Sequence, residues 1–261
     1  MPRVERPEPR VFQRLAEAYR PRPPYPEALV DRLSELAGPG RPVVDLGAGT
    51  GLLAVPLARR GHPVLAVEPA AAMGEECQRA AVELPVTVVR ATAEATGLTA
   101  VAAGLVLLAD AVHWVRPDRA GAEAARLLAA DGVAAVLEVE ALDTAFMRGV
   151  GALLAAANPR ARPRDNAARI RQWLVLAAGP GVPAVERWEQ SVPLSPGALE
   201  GVVRSLSYGE PALGPRSTAA LVEAVTALAS THGAVWARSL RLWWLRRGRR
   251  SRPPRKRPPR R

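Results

Sequence analysis

Val43-Val44-Asp45-Leu46-Gly47-Ala48-Gly49-Thr50-Gly51 decides how the rest of the chain is read. Residues 42–46 form a mostly apolar run of the kind buried in a parallel sheet, and residues 52–60 carry helical periodicity. Between them, glycine stands at every second position. Glycine lets the backbone turn tightly and approach a ligand closely, and the following helix aims its positive N-terminal end at the same place. A glycine trio elsewhere would say little; its position after a strand and before a helix makes it informative.

Outward from that loop the periodicity alternates. Helix is expected over 52–60, 70–82 and 119–130, and strand over 63–67, 86–89, 105–109 and 133–139. Such alternation predicts an α/β fold, a Rossmann-like, doubly wound open sheet with right-handed crossovers. Upstream, helices are expected over 11–19 and 27–36, separated by the proline-rich stretch 20–26. Downstream the pattern is looser: helix over 144–156, a loop near 158–165, helix to 177, strand over 185–192, helices over 196–205 and 218–229, and a last strand over 235–245 with Trp236, Trp243 and Trp244. The chain divides into a helical lid segment (1–40), the main domain (41–247) and a tail (248–261).

At 261 residues, 48% apolar, the chain can bury one sizeable core. Its net charge of +11 invites a nucleic-acid reading. The location of the charge argues against it: Arg246 to Arg261 carry ten positive charges and no negative one, so the remainder stands at +1. Lys256 is the only lysine, and arginine abundance follows a general compositional bias. The tail has no apolar anchor and is expected to be disordered. It could hold an anionic polymer through counterion release, but it lacks aromatics to stack on bases; it reads as solvated and nucleic acid as an unlikely partner except through it.

The single cysteine, Cys77, excludes an internal disulfide and a CxxC zinc site, and no metal is expected. Charged residues interrupt 1–10 before any secretory apolar region forms, and the longest apolar stretch, 101–109, is far below the roughly 18 to 20 residues of a membrane span. A cytoplasmic protein is expected, with no membrane partner. The sequence does not give the oligomeric state. His62 and His232 read as surface residues and Cys77 as structural.

The glycine loop admits two nucleotide readings. A dinucleotide fingerprint, GxGxxG, needs a third glycine where Leu52 stands, whereas the spacing present is GxGxG with Asp45 two residues before the first glycine. At the end of the next strand, Glu68 in Ala66-Val67-Glu68-Pro69 can accept both hydroxyls of a ribose. Met73 follows, either a thioether against an aromatic base or plain core filler.

Taken together these residues resemble the small-molecule branch of the class I S-adenosylmethionine-dependent methyltransferases, of the methyltransferase domain 11/25 type. The resemblance covers about 12–247 and rests on Tyr19 with Arg22-Pro23-Pro24-Tyr25-Pro26, the loop VVDLGAGTG, Ala66-Val67-Glu68-Pro69 with Met73, Ala91 to Leu98, and His113-Trp114. It implies a seven-stranded sheet of order 3-2-1-4-5-7-6 with the last strand antiparallel, S-adenosylmethionine as cofactor, and a small-molecule substrate. The implied cofactor residues are Asp45 at the ammonium, Gly47, Ala48, Gly49 and Gly51 in the loop, Glu68 and Pro69 at the ribose, Met73, the turn Thr92, Ala93 and Glu94 at the adenine, Ala109 after the fourth strand, and Tyr19 in the lid.

Methyl transfer is an in-line displacement that mainly needs positioning and exclusion of water. His113 is the titratable candidate for a base, with Trp114 beside it; the alternative is that both form pocket wall. The sequence also departs from the pattern, with Gly104 where the fourth strand usually begins with Asp, Asp110 where Gln is common, and Val115 where Phe follows His-Trp. Gly104 is expected to weaken the strand start, and with Asp110 it supports a rival reading as a catalytically weak binding protein. A second rival is a nucleic-acid methyltransferase recruited by the tail. Pro23-Pro24-Tyr25 does not help that rival, since Arg22 precedes it and it lies before the glycine loop.

Overall fold

The computed structural model describes residues 10–158, 166–206 and 210–248, so the expected disorder of the tail concerns residues outside the described ones. In chain order the elements are α1 (Arg10–Tyr19), α2 (Glu27–Ala37), β1 (Val43–Leu46), α3 (Ala54–Arg59), β2 (Val64–Val67), α4 (Ala71–Ala80), β3 (Val86–Val89), β4 (Ala103–Ala109), α5 (Pro117–Leu127), β5 (Leu128–Ala141), α6 (Ala145–Ala157), α7 (Ala167–Ala178), β6 (Ala184–Pro193), α8 (Pro196–Ser205), α9 (Glu210–His232) and β7 (Val235–Arg246). The seven strands form one sheet, β3-β2-β1-β4-β5-β7-β6. Neighbours from β3 to β5 are parallel, while β7 runs antiparallel to both β5 and β6. This is the expected order with the expected reversed strand.

β1 is buried along its whole length because both sheet faces are covered. The two-residue period sends Val43, with Leu105 and Leu107 of β4, towards Leu29 and Leu33 of α2 and Leu57 of α3. Val44 and Leu46, with Val106 and Leu108, meet Trp173 and Leu174 of α7 on the other face. A third cluster lies beyond the sheet, where Phe146, Met147 and Val150 of α6 pack on Leu199 and Val203 of α8 and on Leu221 and Val225 of α9. α1 joins the two parts by packing on both α4 and α8.

Several expectations need correction. The segment 1–40 is not uniformly a lid: α2 is a sheet-covering helix whose Leu29, Val30 and Leu33 are at most 1% exposed. The helix expected over 119–130 stops at Leu127, because Leu128 is already buried as the first residue of β5, and its carbonyl accepts from Arg247 Nη1 at 2.8 Å. α9 extends well beyond 218–229 but breaks at Gly214 (φ 74°), directly before Pro215. His232 belongs to its last turn. His62 is not a surface residue; at 1% exposure its Nδ1 donates to the Arg41 carbonyl (2.9 Å), and Nε2 lies 2.7 Å from Ser34 Oγ.

Gly104 does not weaken its strand. A Cβ placed there would lie 2.1 Å from the Ala37 carbonyl oxygen and 2.9 Å from Arg41 Cβ, while its N–H donates to the Pro42 carbonyl at 2.9 Å. The end of α2 approaches β4 so closely that only glycine fits. Its presence is a packing requirement and no sign of lost activity.

Candidate active site

The site forms where the carboxyl ends of β1, β2 and β4 meet the helices that follow them. β1 and β2 pair with Leu46 opposite Val67, so the glycine loop leaves the sheet beside the end of β2. The N–H groups of Gly47 and Ala48 both donate to the Val67 carbonyl, at 2.8 and 3.1 Å. Gly47, Gly49 and Gly51 have φ of 76°, 57° and 87°, a region other residues rarely adopt. One residue past β2, the Glu68 carboxylate accepts from Gly49 N through Oε2 and from Ala70 N through Oε1, both at 2.9 Å. These two bonds lock the loop to the carboxylate yet leave each oxygen a lone-pair direction to spare.

A cavity of about 470 Å³ opens above this junction. Asp45, Gly47, Ala48 and Gly49 line it from the loop; Glu68, Pro69 and Met73 line it from β2 and α4. Thr92, Ala93, Glu94, Ala109, Trp114 and Tyr19 complete the lining, so the structure brings these expected residues together around one space. Gly51 is the exception. It does not line the cavity; a Cβ on it would lie 2.8 Å from Cys77 Sγ, so it serves the packing of the loop on α4. His113 is the other, lining a neighbouring cavity of about 270 Å³ instead. The two cavities share Arg22, Tyr25, Leu52 and Asp110 as a common wall.

Supports for this shape come from a distance. Glu94 accepts from the Arg116 N–H at 2.8 Å, just before α5, and Thr96 hydrogen-bonds Glu123 of that helix, fixing the 92–96 turn. Arg169 of α7 donates to the Val115 carbonyl at 2.6 Å and holds the loop bearing His113 and Trp114. α1 is fastened beside Met73 by Arg20, which grips Glu76 through Nε (3.1 Å) and Nη2 (2.7 Å).

The electrostatics are those of a buried carboxylate pair on the cavity wall. Asp45 is 1% exposed; burial, reinforced by Glu68, pushes its carboxyl up to about 7. Its Oδ1 is buried without a hydrogen-bond partner. A buried carboxylate oxygen without a partner is costly, and Asp45 lines the cavity, where a bound cation could relieve the residue's charge. Burial also raises Glu68, opposed by the N–H groups of Ala70 and Gly49. The Cys77 thiol is pushed up to about 12, by burial first and then by Asp45 and Glu68, which rules it out as a nucleophile near neutral pH.

Sequence reasoning missed the shared wall. Phe12, Arg22, Tyr25 and Asp110 line the main cavity without having been singled out as ligands. Asp110 carried a local signal as a departure from pattern; it adopts φ 49°, a left-handed conformation costing roughly 1 kcal/mol outside glycine, and such strain gathers at functional clefts. Among the described residues no cluster of His, Cys, Asp or Glu could hold a metal ion. No helix among them is long and apolar enough to cross a membrane.

Residues 44–136, which hold the glycine loop, Glu68, the 92–94 turn and Asp110, match the family model of the methyltransferase domain. Over these residues the chain is similar to methyltransferase domains. An uncharacterized methyltransferase of Mycobacterium tuberculosis is 44% identical over 114 residues, which are 43% of this chain. The chain spans 45% of that relative's length. A candidate type II methyltransferase from Anaeromyxobacter dehalogenans superposes with a TM-score of 0.58 at 24% identity, covering 87% of this chain and 97% of that one. The cyclase SpnF gives 0.54 at 16% identity, covering 87% and 85%. The fold shared with these structures extends over most of the chain, and its occurrence in a protein named as a cyclase means that fold alone does not fix the reaction.

Proposed function

We propose that the protein binds S-adenosylmethionine in the 470 Å³ cavity and transfers its methyl group to a small-molecule acceptor. The observation that carries this reading is the buried Asp45 on the cavity wall, one turn of loop from a carboxylate locked against a glycine backbone. An ammonium satisfies the first, and a vicinal diol uses the free lone pairs of the second; a pyrophosphate would meet two carboxylates instead. When bound, S-adenosylmethionine supplies an electrophilic methyl carbon on a sulfonium.

The chain's own residues hold and shield. Asp45 would take the ammonium, Glu68 the ribose hydroxyls, the Thr92–Glu94 turn and Met73 the adenine, and Ala109 would face the sulfonium region. Phe12, which meets Trp114 edge-on at 5.5 Å, and Tyr19 cover the mouth and exclude water. The acceptor would enter from the neighbouring cavity, across the wall of Tyr25 and Asp110. Asp110 on that wall is better placed than His113 to orient an acceptor or take its proton, because it lines both cavities and His113 only the second.

The test is to incubate the protein with methyl-labelled S-adenosylmethionine and a mycobacterial extract, then separate small molecules from nucleic acid and protein. Label in a small-molecule product supports the reading. Label confined to nucleic acid, or none transferred at any protein concentration, contradicts it.

A further inference from the structure

The second cavity carries a charge arrangement that the cofactor does not use. Arg238 of β7 is 6% exposed, and no carboxylate among the described residues lies within ion-pair distance of it. Its neighbours are neutral: Nε and Nη2 donate to Gln190 Oε1 at 2.8 and 2.6 Å, and Nη2 also to the carbonyls of Pro23 (2.9 Å) and Pro24 (2.6 Å). Its guanidinium lies 5.2 Å from the centre of the Tyr25 ring. Arg22 is anchored in a similar way, with Nε and Nη2 donating to Ser205 Oγ and O at 2.9 Å and the guanidinium stacked 3.9 Å from the Tyr19 ring. It too has no carboxylate partner among the described residues.

Among the described residues, Nε and Nη2 of both side chains are committed and Nη1 is not, and neither Nη1 is sealed away as a buried, unsatisfied atom. Both side chains line the cavity. Burial lowers the pKa of Arg238, Tyr25 and Asp110 oppose the shift, and the nearby Arg22 adds to it, so the net direction is still down. A buried charge without a partner is destabilising by several kcal/mol, and neutral acceptors offset only part of that. Of the acidic groups on the cavity wall, Glu140 is ion-paired to Arg241, and Asp110 shares with Arg22 and Tyr25 the wall common to both cavities. The opposite side is apolar, built from Met147, Val150 and Leu154 of α6 with Val202 of α8 and Leu206.

We propose that this cavity is a binding site for a small amphipathic acid, whose carboxylate is clamped by the free Nη1 groups of Arg22 and Arg238 and whose apolar body lies between α6 and α8. Two rigid, prepaid guanidinium donors discriminate by charge and geometry, and the apolar wall adds affinity in proportion to the surface it covers. As the acceptor site of the methyltransferase, this rests on the function proposed above; as an anion site, it stands on the arginines alone.

The full chain, with and without saturating S-adenosylhomocysteine, is titrated calorimetrically with octanoate, octan-1-ol and octylamine as probes of equal length. Octanoate is expected to bind at least tenfold more tightly than the alcohol, and the amine more weakly still. Arg22→Gln is expected to abolish the preference for octanoate over octan-1-ol, and Leu154→Trp to weaken both ligands by filling the apolar end. Arg238→Gln removes the donors to the Pro23 and Pro24 carbonyls, so Arg22→Gln, checked by its unfolding midpoint, is the deciding variant. Equal binding of acid and alcohol, a preference for the amine, or no binding of octanoate overturns the proposal. Octanoate selectivity in a protein that does not bind S-adenosylhomocysteine would instead retain the anion site and remove the methyltransferase reading.

Discussion

The two cavities are built differently. The first is lined by contiguous motifs at the ends of β1, β2 and β4, which present backbone groups and two carboxylates. The second draws Arg22, Asp110, Met147, Val202 and Arg238 from five separate segments and presents side chains. A ligand shared by many proteins is met by short motifs tied to strand ends. A ligand particular to one protein is met by side chains that the fold happens to bring together. The first kind of site leaves a spacing in the sequence; the second leaves only scattered residues.

If this division holds, damage to each region should have its own signature. The largest effect is expected at Gly104, whose replacement by alanine drives a Cβ onto a backbone oxygen that cannot rotate away. Gly104→Ala should lose about 3 kcal/mol of stability in urea unfolding, the upper end of overpacking costs. A cost below 1 kcal/mol would mean that α2 shifts freely over β4. Next comes Glu68→Ala, expected to weaken S-adenosylhomocysteine about 100-fold, or about 2.7 kcal/mol, while leaving octanoate selectivity in the second cavity intact.

Acid sensitivity comes third. With Asp45 raised above its unfolded value, the native state holds the extra proton between about pH 4 and 7, so stability from this group falls as pH rises through that window. Cofactor binding runs the opposite way, since an ammonium needs the ionised carboxylate. Affinity should rise about tenfold from roughly pH 6 to pH 8 in wild type, and the rise should vanish in Asp45→Asn. The smallest effect lies in the second region. Thr144 caps α6 by accepting from Met147 N at 3.2 Å, and Thr144→Ala should cost about 1 kcal/mol with no change in S-adenosylhomocysteine affinity. A coupled loss of cofactor binding would show that the regions are not separable.

The same contrast explains what could be read from sequence. The alternating strands and the loop–Glu68 junction were legible because apolar runs bounded by glycine and proline leave few alternatives, and Leu46 and Val67 stand at matching strand ends; the strand order came only from the resemblance carried by the motifs. Gly104 was misread, since a propensity argument cannot see that the Ala37 carbonyl stands 2.1 Å from where a Cβ would be. His62 was misread for the same reason: its partners Ser34 and Arg41 lie on a helix and a turn brought together only by packing. Arg238 was invisible as a ligand, one arginine among many, because its exposure and its missing carboxylate are properties of three dimensions.

The account depends on the cavity above β1 receiving an adenosyl sulfonium between Asp45 and Glu68. Isothermal titration of wild type and Glu68→Ala with S-adenosylmethionine and S-adenosylhomocysteine, with NAD as the dinucleotide control, tests this most directly. Micromolar binding of both S-adenosyl ligands to wild type, about 100-fold loss in Glu68→Ala and no NAD binding is the predicted result. Tighter binding of NAD, or S-adenosylmethionine binding unaffected by the loss of Glu68, would contradict it.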